Sequence, residues 1–147
     1  MKKYFIIIIL AIITGGLLGY YTFHGNSANA KGFKTAYLIQ IGVYKSKENA
    51  NKKAASLTSS IVIPEGDYYH VYSNIFTDLN LVKKVSNFYD SINLHYYVKN
   101  IEIDLDTYSK IADYEALLVN VDDVNTILRS SKELLGYYGE YRQNEEN

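Results

Sequence analysis

Residues 36–44, A-Y-L-I-Q-I-G-V-Y, constrain the fold more than any other stretch. The run is short, apolar and rich in β-branched and aromatic side chains, which is the composition of a strand. Read with period two, Tyr37, Ile39, Ile41 and Val43 share one face, and Leu38, Gln40, Gly42 and Tyr44 share the other. The first face suits a core. The second carries an amide and a glycine where a strand buried on both sides would carry Val or Ile, so the sheet is expected to keep one face in solvent.

The flanking residues extend this strand into a small α+β domain. Ser46 is placed to cap a helix over 47–58, with Ala50, Ala54 and Leu57 inward and Lys47, Lys52 and Lys53 outward. Residues 61–63 read as a short strand and Pro64-Glu65-Gly66-Asp67 as a turn, Pro presetting φ and Gly admitting positive φ. Residues 68–76 form the return strand. Asp78 then caps a helix over 79–91, with Leu81, Val82, Val85, Phe88 and Tyr89 inward, and 95–103 is the last strand. The order βαββαβ is the split arrangement of a ferredoxin-like antiparallel sheet with two helices on one face.

Beyond residue 104 the apolar period changes to 3.6. Asp106-Thr107 starts a helix to about 119 and Asp122 a second over 123–135, with Ile111, Tyr114, Leu117, Leu118, Val121, Val124, Ile127, Leu128 and Leu134 at helical spacing. Gly136 and Gly139 are expected to loosen the end, leaving 104–141 as a helical extension and 142–147 as a disordered tail. The extension either stabilises the domain or offers a docking surface to a partner protein.

At the other end, Lys2 and Lys3 precede an uncharged run over 4–18, Y-F-I-I-I-I-L-A-I-I-T-G-G-L-L, continued by Tyr20, Tyr21 and Phe23. This approaches the ~20 residues of a membrane span, and the lysines put the N-terminus on the cytoplasmic side. Residues 1–23 are therefore expected to anchor the chain by a single span. The competing reading is a signal peptide cleaved after Ala28-Asn29-Ala30. Both make the remainder extracytoplasmic, with 24–35 as a linker and 36–103 as the domain.

Formal net charge is -1, but it is unevenly spread: nine lysines face five acids over 31–100, and eleven acids face four basic residues over 101–147. With no cysteine there is no disulfide framework, thiolate metal site or thioether-linked lipid. His24, His70 and His95 show no metal-ligand spacing, and there is no nucleophile elbow or phosphate loop. No enzyme constellation emerges, and no cofactor or metal is expected. Nucleic acid is disfavoured as a partner by the compartment and by the lack of a basic stripe.

Y-L-I-Q-I-G-V-Y over 37–44, with Ser46-Lys47-Glu48-Asn49-Ala50 after it, resembles the opening strand and helix start of SPOR domains (sporulation-related repeats). Residues 66–76, G-D-Y-Y-H-V-Y-S-N-I-F, resemble that family's hairpin segment. The departures are His70 where Arg is common, Val43 where a small residue is usual, and Asn74-Ile75 in place of a Gly-Pro turn. Asn can adopt the left-handed conformation that Gly supplies. The resemblance covers about 36–103.

It implies binding of peptidoglycan glycan strands, those stripped of stem peptides above all, by a membrane-anchored protein of bacterial cell division, wall remodelling or sporulation. It also implies that the glycan lies across the open sheet face. The residues placed there are Gln40, Gly42, Tyr44, His70, Tyr72, Tyr97 and Lys99. Gln40 offers a donor and an acceptor to uncharged sugar groups, tyrosine rings cover pyranose faces, Lys99 meets lactyl carboxylates, and Gly42 lets a ligand approach the backbone. The alternative is an interaction protein that keeps the fold and works through partners of its C-terminal helices.

Overall fold

The computed structural model describes residues 32–145. The membrane anchor or signal peptide expected over 1–23, and most of the linker, lie outside them. Among the described residues no helix is long and apolar enough to cross a membrane.

The elements are β1 (Phe33–Tyr44), α1 (Lys47–Ala55), β2 (Ile61–Glu65), β3 (Tyr68–Phe76), α2 (Leu79–Ser91), β4 (Tyr97–Asp104), α3 (Leu105–Glu115) and α4 (Val124–Glu145). The class is α+β. Four antiparallel strands form one sheet in the order β2-β3-β1-β4, which is compatible with a ferredoxin-like arrangement. β1 begins at Phe33, three residues inside the stretch read as linker.

Local chemistry accounts for the boundaries. Ser46 accepts from Asn49 N to start α1, and Asp78 accepts from Asn80 N and Leu81 N to start α2. Glu65 and Tyr68 face each other across the hairpin, and between them Gly66 takes φ 59°, a left-handed conformation that favours glycine. Pro64 lies in β2, an edge strand, where a missing N–H is tolerated. Asp104 caps α3 by accepting from Thr107 N at 2.9 Å and Thr107 Oγ1 at 3.0 Å, in place of the Asp106-Thr107 start. Asp123, and not Asp122, accepts from Asn125 N and Thr126 N at the start of α4.

The solvated sheet face is not found over the centre of the sheet. Val71 and Tyr72 are consecutive in β3 and point to opposite faces, as Leu38 and Ile39 do in β1, yet all four are fully buried. Leu38, read as solvent-facing, is therefore core. The period-two pattern of β1 also breaks, because its ladder with β3 shifts register between Ile39 and Gln40 and again between Gln40 and Gly42. Val43, read as core, is 44% exposed beyond those shifts.

The second cover is the C-terminal extension. α1 packs against β1, β2 and β3, whereas α4 packs against β3, α2 and α3. Ile111 of α3 and Ile127, Leu128, Leu134 and Leu135 of α4 belong to the single core cluster. Lys84 of α2 donates to the carbonyls of Val119 and Val121 and pins the loop between α3 and α4. Most of the apolar stripe of the extension is thus used within the chain, but Leu117, expected in it, is 73% exposed. α4 also runs through Gly136 and Gly139 to Glu145, so Arg142–Glu145 is helix and not disordered tail. Tyr138 and Tyr141 explain this, because their burial continues the inward face past both glycines.

Candidate functional site

Register brings most of the site residues into one group. Gln40 pairs with Tyr72 on one side and Tyr97 on the other, and Leu38 pairs with Lys99. Directly opposed residues in an antiparallel ladder share a face, so Tyr72, Gln40 and Tyr97 form a row across three strands. His70 and Lys99 lie two residues along from Tyr72 and Tyr97 and join it. Gln40 Oε1 is 3.2 Å from His70 Nδ1, and the His70 and Tyr72 rings stack at 6.0 Å.

Glu65 ties the group together, although its sequence position suggested only a turn. Its carboxylate accepts from the Tyr72 hydroxyl at 3.0 Å and lies 3.7 Å from Lys99 Nζ and 3.9 Å from His70 Nε2. The missed signal was the strand period: Ile61, Ile63 and Glu65 alternate together, and Ile63 pairs with His70. As the end of β2, Glu65 belongs to this face.

Much of the row is covered. Tyr72 has no exposed surface, and the ring of Tyr138 on α4 meets it edge-on at 6.4 Å. The expectation that Tyr72 is open to ligand is corrected on that ground. Burial, the Glu65 charge and the hydrogen bond to Glu65 all raise the Tyr72 pKa. Burial and the charges of Glu65 and Glu145 push Tyr138 up to about 12, against an opposing pull from Arg142. Tyr141 is also raised, by burial and by its hydrogen bond to Glu145 at 2.6 Å. A cavity of about 440 Å³ remains between this end of α4 and the sheet, lined among others by Lys99, Arg142, Glu65, Glu102 and Glu145.

At Gly42 a Cβ would lie 2.9 Å from the Tyr44 ring, so Tyr44 takes up part of the space that glycine leaves. The open part of the row is its Tyr97 end. Tyr97 is 64% exposed, and a shallow cleft of about 140 Å³ is lined by Gln40, Ile41, Gly42, His95, Tyr96 and Tyr97. His95 and Tyr96, expected to open the last strand, precede β4 and enter the cleft from its loop. The cleft combines an amide, an imidazole and two phenols, groups that hydrogen-bond uncharged hydroxyls and amides and cover apolar ring faces. Among the described residues no three His, Asp or Glu side chains gather as a metal ion would require.

Comparison with known proteins gives no match: no family model, no curated protein and no solved structure aligns with this chain.

Proposed function

We propose that the chain is a membrane-anchored, extracytoplasmic, SPOR-like module of ferredoxin-like fold. It binds peptidoglycan glycan strands, preferentially those without stem peptides, in bacterial cell division, wall remodelling or sporulation. The observation that carries this reading is the ladder position of Gln40, between Tyr72 and Tyr97 and beside an open cleft. In the proposed mode an acetamido or hydroxyl group meets the Gln40 amide, a pyranose face lies on the Tyr97 ring, and His95 and Tyr96 close the sides. No bond is made or broken; the residues bind and orient.

One observation favours a second reading. The helix across Tyr72 narrows the accessible strip, which suits an interaction protein that keeps the fold and recruits protein partners. Co-sedimentation of the detergent-solubilised chain with amidase-treated and intact sacculi separates the two. The glycan reading expects preference for treated sacculi, reduced at least tenfold by Gln40→Ala or Tyr97→Ala. Equal pelleting of wild type and both folded variants would refute it and leave the partner reading.

A further inference from the structure

α4 is held in two different ways along its length. Up to Leu135 its inward residues are aliphatic apart from Ser131, which bonds to Asn74: Ile127 and Leu134 are fully buried, and Leu128 and Leu135 nearly so. From residue 136 onward the contacts are aromatic and polar. Tyr138 meets Tyr72 and Gly139 lies against Ile61, while Tyr141 on Tyr138 at 6.3 Å and Arg142 at 3.9 Å from Glu145 are contacts within the helix itself. This end is also flanked by cavities on both sides, about 440 Å³ toward Lys99 and β4 and about 120 Å³ toward Ile61, Pro64 and Gly139.

The change falls at Gly136. A Cβ there would meet nothing within 4 Å, so no close approach requires glycine at that position. Glycine inside a helix nonetheless lowers helix formation about fivefold relative to alanine. The helix is therefore weakest where its aliphatic seam ends.

We propose that residues 137–145 form a detachable cover, hinged at Gly136, over the Tyr72, Lys99 and Glu65 part of the sheet. Closed, the cover hides half of the row that begins at Tyr97. Open, it uncovers Tyr72 and removes Tyr138 and Tyr141 from the edge of the core cluster, while Ile127, Leu128, Leu134 and Leu135 stay seated. The ligand of the uncovered face rests on the glycan reading above; the hinge does not. Terminal helix segments open more readily than the core they border, and a ligand that binds only the open form must work against the closed one.

The test compares the full chain, Gly136→Ala, and a chain ending at Leu135, by amide hydrogen exchange and by pelleting with amidase-treated sacculi. Gly136→Ala is expected to slow exchange over 137–145 about fivefold, with 79–91 unchanged, and to weaken pelleting by a similar factor. The shortened chain is expected to pellet at least fivefold better. Unchanged exchange in Gly136→Ala overturns the hinge, whatever the sacculi show and whether or not the shortened chain folds. Altered exchange with equal pelleting of all three overturns the role in binding but leaves the glycan reading standing. Altered exchange with no pelleting by any form keeps the hinge and refutes the glycan reading.

Discussion

Asn74 Nδ2 donates to Ser131 Oγ at 2.6 Å and joins the centre of the sheet to the C-terminal helix. The other end of the same amide accepts from the Tyr89 hydroxyl at 2.7 Å, and Ser131 passes its own hydroxyl to the carbonyl of Ile127 at 3.0 Å. Asn74 and Ser131 are both fully buried, so this chain of bonds fixes β3, α2 and α4 to one another away from water. Asn74 is also where the resemblance pointed to a Gly-Pro turn. There is no turn: Asn74 lies within β3, and among the described residues only Asn93 and Gly66 have positive φ.

Replacing Asn74 by Leu removes both bonds and takes from the Tyr89 hydroxyl its amide partner in the core. The expected cost is about 2–3 kcal/mol, against about 1 kcal/mol for Ser131→Ala, which keeps the Tyr89 bond. Urea unfolding of the two variants checks the ranking. Equal costs would mean that the amide is not the node.

Glu115 gives a pH dependence of unusual sign. It is 2% exposed, and accepts from Thr77 N at 2.7 Å and from Thr77 Oγ1. Burial raises its pKa above the ordinary 4.5 and outweighs the lowering by the Thr77 bonds. A carboxyl with a raised folded-state pKa holds its proton longer in the native state than in the unfolded chain. Its contribution is therefore most favourable below the unfolded pKa and declines as pH rises toward the folded one. Glu115→Gln removes this slope while keeping an oxygen for Thr77 N. The variant is expected to gain on wild type as pH rises from 4 to 7, by comparison of urea midpoints. A constant difference would show that Glu115 titrates as it does in the unfolded chain.

The tyrosines under α4 set an alkaline limit. Tyr72, Tyr138 and Tyr141 are all raised, Tyr138 to about 12, with burial the largest cause for each. Unfolded tyrosine loses its proton near pH 10. Native stability is thus intact below pH 10 and is lost as pH climbs toward the folded values. Absorbance titration is expected to show a late-ionising group of tyrosines that rises together with loss of helical circular dichroism. Ionisation of every tyrosine near pH 10 without loss of helix would contradict the burial of this cluster.

The strands and helices were legible because their periods differ and their caps are short-range. Asp78 and Gly66 each act within three residues, and the half of the row joining Gln40 to Tyr97 follows from alternation once the strands are paired, whereas the half joining Gln40 to Tyr72 depends on the register shift at Gln40. What was not legible depends on distant chain. Nothing near Leu38 or Tyr72 in sequence says that α4 covers one face of the sheet. Gly136 and Gly139 signal a weak helix end by propensity alone, and the burial of Tyr138 and Tyr141 overrides that signal. Glu65 was hidden by its company, since Pro64 and Gly66 make a turn the obvious reading of a residue that ends a strand.

Gly139 offers a sharper test of how closely that helix is seated. A Cβ at this position would lie 2.9 Å from Ile61 Cδ1, closer than real atoms approach. The obstructing atom is the far end of a flexible side chain, so Ile61 can give way at modest cost. Alanine also favours the helix by about 1 kcal/mol over glycine. In Gly139→Ala the two effects oppose each other, and a net change of about 0.5 kcal/mol or less in either direction is expected. Ile61→Val deletes Cδ1 and with it the clash, at a cost of roughly 0.5–1.5 kcal/mol on its own. In that background Gly139→Ala is expected to stabilise by close to the full helix gain, which gives a coupling of at least 0.5 kcal/mol in a double-mutant cycle. Additive effects would mean that α4 and the β2 edge do not touch at this point.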